Sequence, residues 1–136
     1  MNVSRIVLLT VLWVLSLGLA SASAESAASP RITELAVTTK IAKGNPIDSV
    51  RRISSTSVKA LYCFTRLLGS EDTDTTIKHV WYRDNEKVGE YVLPVKGKRW
   101  RTYSKKSIQK GWSGDWRVEV LDNEGKLLKT VRFRMN

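Results

Sequence analysis

The strongest constraint on this chain is a period of two near its C-terminus. In GDWRVEVLD, Trp116, Val118 and Val120 alternate with Arg117 and Glu119; in KLLKTVRFRM, Val131, Phe133 and Met135 alternate with Thr130, Arg132 and Arg134. Successive strand side chains point to opposite faces, so each segment acquires one apolar and one polar face only if it is extended. Asn123-Glu124-Gly125 lies between them and supplies the turn of a C-terminal hairpin.

Upstream, the same signals recur at short intervals. Ile32 to Ile41 predicts a strand with Leu35, Val37, Thr39 and Ile41 on one face, and Gly44-Asn45-Pro46 breaks the chain after it. Asp48 to Thr56 is polar and reads as a loop. Val58 to Leu67 carries apolar residues on both faces, as a central strand does. IKHVWYR, the turn DNEK and VGEYVLPV form a second hairpin, with Ile77, His79 and Trp81 on one face of its first arm. Pro94 places the return arm at an edge or a strand end. Ser104 to Lys110 is the one stretch that reads as helix, a single short turn with Ser104 as N-cap and Gly111 as terminator. Six or seven short strands with close turn signals predict an all-β, immunoglobulin-like β-sandwich with at most one short helical turn. An open barrel is the alternative, and no internal repeat is present.

The first residues read as an address label. Arg5 precedes an apolar run from Ile6 to Leu19, and Ala22-Ser23-Ala24 offers a signal-peptidase site, so residues 1–24 are expected to be a cleaved signal peptide. The run falls short of the roughly 20 apolar residues that span a bilayer. Glu25–Arg31 reads as a Ser/Ala-rich flexible lead-in, and 32–136 as a single domain. The expected location is periplasmic or extracellular, with membrane attachment through an uncleaved signal as the alternative. Removing Arg5 with the signal lowers the formal net charge from +10 to +9. Such a charge favours anionic partners, and exported proteins rarely meet nucleic acid, so the expected partners are an anionic cell-envelope glycan, a lipid surface or an envelope protein. Cys63, the only cysteine, allows no internal disulfide and sits in the apolar run Leu61-Tyr62-Cys63-Phe64, where it reads as a small buried hydrophobe.

Chemistry finds little to work with. His79 is the sole histidine, so Ser104, Ser107 or Cys63 would need a chance approach to it to act as a nucleophile, and there is no G-x-S-x-G elbow. One His and one Cys do not make a zinc site. The Asp and Glu residues of Gly69 to Thr75 lack calcium-loop spacing and read as a solvated turn. Glu90, Asp115, Glu119 and Asp122 lie near the aromatic segments, but nothing marks a catalytic pair among them. No phosphate-cradling glycine loop appears. The expectation is a non-enzyme without cofactor or metal.

Binding is better supplied. The stretch from Lys98 to Asp122 holds three of the five tryptophans among dense Lys and Arg. Trp116, like Trp81, reads as core, because a domain without disulfides needs the several kcal/mol that burying an indole contributes. The candidate binding residues are Lys98, Arg99, Trp100, Arg101, Tyr103, Lys105, Lys106, Lys110 and Trp112. Alternation along a strand divides such a cluster between two faces.

The segments TTKIAKGNPIDSV (Thr38 to Val50), YCFTRL (Tyr62 to Leu67), IKHVWYRD (Ile77 to Asp84), RWRTYSKKSI (Arg99 to Ile108) and WSGDWRVEVLDNEG (Trp112 to Gly125) occur in this order. Together they resemble a bacterial family known as domain of unknown function 2914. The resemblance implies a compact, mostly β domain of exported or membrane-attached proteins, and it carries over no catalytic or binding residue. Arg99 stands where the family pattern leads one to expect Pro, and Tyr103 where Trp is common. The function expected is an exported, non-enzymatic domain that binds an anionic envelope component or partner protein through its basic and aromatic surface. A structural or assembly factor acting by strand addition, and a carboxylate-based glycan hydrolase, are the alternatives.

Overall fold

The structure, a computed structural model, describes residues 29–136. The expected signal peptide, and the lead-in up to residue 28, lie outside the described residues. Ten strands follow in order: β1 (Arg31–Thr38), β2 (Ile41–Ala42), β3 (Asn45–Pro46), β4 (Arg52–Ile53), β5 (Ala60–Leu68), β6 (Asp74–Arg83), β7 (Glu86–Lys96), β8 (Arg99–Ser107), β9 (Gly114–Leu121) and β10 (Leu127–Met135). Seven of them are long, β2, β3 and β4 have two residues each, and the described residues include no helix. A three-stranded sheet, β1-β5-β8, faces a five-stranded sheet, β4-β10-β9-β6-β7, and β2 with β3 forms a separate small hairpin. This is the sandwich, not the open barrel.

The alternating pattern explains which faces meet. Val37, Leu61 and Cys63 from the three-stranded sheet pack against Trp81, Trp116, Val118, Phe133 and Met135 from the other. Trp116 stacks on Phe133 with ring centroids 5.7 Å apart, and Trp81 meets Phe133 edge-on at 6.4 Å. Such aromatic pairs add to the burial of their area. A smaller cluster of Leu67, Ile77, Val95 and Val120 fills the other end. Cys63 is fully buried, and burial pushes its thiol far above the ordinary range.

Three local expectations change. The first strand ends at Thr38 rather than Ile41, because the Asp48 carboxylate accepts from the Thr38 hydroxyl, the Thr39 hydroxyl and the Thr39 amide and turns the chain there. The polar loop after it contributes β4, which pairs in parallel with the end of β10. Ser104 does not cap a helix: β8 continues to Ser107, paired with β5 along nine residues. A seven-residue helix is poorly nucleated, whereas the ladder satisfies the backbone and turns Ser104 into the core. Pro94 lies in β7, which is the edge of the five-stranded sheet.

Candidate functional site

β8 is an edge strand, and its alternation sorts the candidate residues. Arg99, Arg101, Tyr103 and Lys105 are exposed, while Ser104 is buried and Trp100 and Lys106 are half-buried. The register places Leu68 opposite Arg99, Arg66 opposite Arg101, Phe64 opposite Tyr103 and Tyr62 opposite Lys105. On the far side of β5, Arg31, Glu34, Ala36 and Thr38 complete the same outer face. The strands of that face therefore carry Arg31, Arg66, Arg99, Arg101 and Lys105 against the carboxylate of Glu34, and the Asp48 carboxylate lies over its Thr38 end.

The other candidates lie elsewhere. Lys98 and Lys110 sit at turns before and after β8, roughly 30 Å apart at ordinary strand rise. Trp112 packs on the core beside Trp116 at 5.9 Å, and its carbonyl accepts from the Trp116 indole N–H at 3.2 Å. The Lys106 ammonium lies 5.4 Å from the centroid of the Trp112 ring, so this lysine covers a tryptophan instead of offering it. Trp100 packs against the smaller cluster, and its buried indole N–H has no hydrogen-bond partner among the described residues. The stretch is thus two faces and two turns, not one platform.

Arg66, Leu67, Leu68, Arg99, Trp100 and Arg101 line a cavity of about 610 Å³. Within this face the side chains of Arg66 and Arg101 converge on one oxygen: Arg66 Nη2 donates to Asn45 Oδ1 at 3.1 Å, and Arg101 Nη1 donates to the same atom at 3.0 Å. Arg66 Nε also donates to Glu34 at 3.1 Å. Tyr103 is 48% exposed and meets Tyr62 edge-on at 5.8 Å. Arg31, Arg66, Tyr62 and Asn45 were not among the residues the sequence singled out. Only the pairing of β8 with β5 puts Arg66 and Tyr62 in its row, and local alternation does not reveal which strands pair.

The alternative sites are weaker in different ways. A larger groove of about 780 Å³ contains Arg51, Arg117, Arg132 and Arg134, but also Asp84 and Asp115. There Arg134 pairs with Asp115 at 2.8 Å, and Arg117 donates to Asn85 at 2.7 Å and stacks 4.0 Å from the Tyr82 ring centroid. His79 Nδ1 lies 2.7 Å from Ser104 Oγ, the distance of a nucleophile and its base. Both residues are buried, the Trp81 indole N–H also donates to Ser104 Oγ, and His79 Nε2 bonds Thr65 Oγ1 at 2.8 Å. Among the described residues no carboxylate orients the ring, and His79 is fully buried. Among the carboxylates, Glu90 is held below its usual range by hydrogen bonds from Lys78 and Lys87, and Asp122 by those from Ser29 and the Lys126 amide. Neither is the raised-pKa acid that glycoside cleavage requires.

With this geometry in place, comparison with known proteins locates the chain. Residues 74–135 match the family described as Protein of unknown function (DUF2914). The match runs from β6 through β10 and bears out the resemblance seen in the sequence over that part. It includes all of β8, whereas Arg66 and Asn45 lie before it. No curated protein matches the chain. Among solved structures, it is similar to a Pseudomonas fluorescens alkylpurine DNA glycosylase AlkC bound to DNA containing an abasic site analog, at 14% identity and a TM-score of 0.52. That likeness covers 82% of this chain and 31% of the glycosylase, so the chain spans about a third of it, and it concerns the fold alone. A Niemann-Pick type C2 protein from Japanese carpenter ant is similar at 9% identity and a TM-score of 0.41, over 81% of this chain and 93% of that one.

Proposed function

We propose that the protein is an exported, non-enzymatic binding domain that holds an anionic cell-envelope glycan across the outer face of the three-stranded sheet. The observation that carries this reading is the row Arg99, Arg101, Tyr103 and Lys105, exposed along an edge strand on a face where five cations outnumber the carboxylates of Glu34 and Asp48. Side chains two residues apart along a strand are spaced roughly 7 Å, so the row presents charges at intervals to an extended polymer. Tyr103 offers a ring face between them. A glycan fits this mixture of cations and aromatic surface better than a lipid headgroup layer, which needs charge but no ring face. Salt screening weakens such contacts over about 10 Å at 0.1 M ionic strength.

The test is binding of an oligogalacturonate, with heparin, phosphatidylglycerol vesicles and duplex DNA as competing polyanions, by calorimetry at low and high salt. Arg99→Glu with Lys105→Glu is expected to weaken oligogalacturonate binding at least tenfold without altering the fold, since both side chains are exposed. Unchanged binding by the double variant rejects this face. Preference for the vesicles or for DNA over either glycan rejects the ligand class.

A further inference from the structure

We infer that Arg66 and Arg101 form a subsite for the anionic group of the ligand, that Asn45 fills it from the hairpin above, and that binding there lifts this hairpin off a covered aromatic floor. This rests on the reading of the outer face as a glycan surface and specifies how that surface works.

Two arginines stand directly opposite each other on β5 and β8. Like charges in that position repel, and what lies between their guanidinium groups is a neutral amide oxygen at 3.1 and 3.0 Å. Arg66 is partly balanced by Glu34, whereas Arg101 has no carboxylate partner among the described residues. A carboxylate or sulfate oxygen makes shorter and stronger hydrogen bonds to guanidinium than an amide does. An anionic group therefore displaces Asn45 at a gain, and a neutral sugar does not.

The segment that carries Asn45 is built to move as a flap. Its base is fixed: Asp48 binds Thr38 and Thr39, and the Ile47 amide donates to the Lys40 carbonyl at 3.2 Å. Its tip is the two-residue turn Lys43-Gly44, with φ of 52° and 74°. The Gly44 backbone rests against the Arg101 guanidinium, which lies 3.6 Å from where a Cβ would stand. Thus the tip is held through the two arginines, while the base is held independently of them.

Under the flap lies Phe64. It sits on the outward face of β5, between Tyr62 and Arg66, and yet is 0% exposed. The hairpin leaves β1 at Thr38, which is paired with Tyr62, and reaches Arg66 through Asn45, so it passes over the Phe64 row. The Arg66 guanidinium lies 5.6 Å from the centroid of the same ring, so lifting the tip uncovers the part of the phenyl that Arg66 leaves, beside Tyr62 and Tyr103. Tyr62 and Tyr103 meet edge-on at 70°, and a sugar can pack against these rings while its carboxylate sits between Arg66 and Arg101.

The test compares Asn45→Ala and Asn45→Asp in oligogalacturonate binding. The alanine variant frees both arginines and is expected to bind three- to tenfold tighter. The aspartate variant plants a carboxylate between them and is expected to bind at least threefold weaker. Ser107→Asp adds the same charge on the same face away from the pair and is expected to have a smaller effect than Asn45→Asp. If both Asn45 variants stay within twofold of the unaltered protein while Arg99→Glu with Lys105→Glu still weakens binding, the subsite is overturned and the face remains. If the charge reversals change nothing, the face itself fails. Absence of binding by both the unaltered protein and Asn45→Ala overturns both.

Discussion

At the scale of residues, His79 joins the two sheets by a hydrogen bond at each ring nitrogen. Along β5 the main core cluster holds Cys63 and the smaller one Leu67, with Thr65 between; along β6 they hold Trp81 and Ile77, with His79 between. A polar layer of Thr65, His79 and Ser104 thus separates two apolar ones, and either imidazole tautomer satisfies both ring nitrogens because each hydroxyl can donate or accept. Burial lowers the His79 pKa from 6.5 to about 3. Folded His79 stays neutral where the unfolded imidazole takes up a proton, so its contribution is complete above about pH 6.5 and is lost as pH falls towards 3. Urea titrations should show stability falling between pH 6.5 and 4 with a slope approaching one proton, about 1.4 kcal/mol per pH unit. His79→Leu should be less stable at pH 7 and nearly flat between about pH 6.5 and 5.5, above the range in which Asp48, Glu90 and Asp122 add their own slope; equal slopes in the two proteins there would sink this assignment. The sequence placed His79 with Ile77 and Trp81 on one face of a strand, which is correct. Its partners Thr65 and Ser104 come from the opposite sheet, a distance along the chain that alternation does not encode.

At the scale of elements, legibility follows how local the cause is. The C-terminal hairpin was readable in full: Trp116, Val118 and Val120 are buried and their neighbours Arg117 and Glu119 are not, because one strand's own pattern decides it. The turn after it is held by Asp122, whose carboxylate accepts from the Glu124 and Lys126 amides at 2.9 Å. β8 was half readable. Its N-terminal half alternates, but Ser104-Lys105-Lys106-Ser107 has no strand signature of its own and is extended because β5 pairs with it. Gly114, where β9 begins, shows a constraint invisible in sequence: its φ is 131°, and an added Cβ would stand 2.5 Å from the Asp84 carboxylate that accepts the Asp115 amide. Gly114→Ala should therefore cost on the order of 2 kcal/mol through backbone strain and the displaced carboxylate, read as a lower urea midpoint with unchanged slope. An unaltered midpoint would mean that the β6–β7 turn yields freely. Edge β7 carries Pro94, and Lys87 and Lys96 near its ends, features that blunt an edge against strand pairing and disfavour function by strand addition at that side.

At the scale of the whole molecule, the two outer faces differ in electrostatic character. The five-stranded sheet pairs four of its cations with three carboxylates, Lys78 and Lys87 on Glu90, Arg117 near Glu119 and Arg134 on Asp115. The three-stranded sheet leaves most of its cations without a carboxylate. The basic balance of the sequence announced an anionic partner, but it could not say which face carries the excess, since that depends on how β1, β5 and β8 assemble. Amide chemical-shift mapping with oligogalacturonate tests the central claim most directly. The largest shifts should fall on Arg66, Arg99, Arg101, Tyr103 and Lys105, spread into residues 43–46, and shrink as salt is raised. Shifts concentrated instead on Lys78, Lys87, Arg117 and Arg132 of the five-stranded sheet would contradict it.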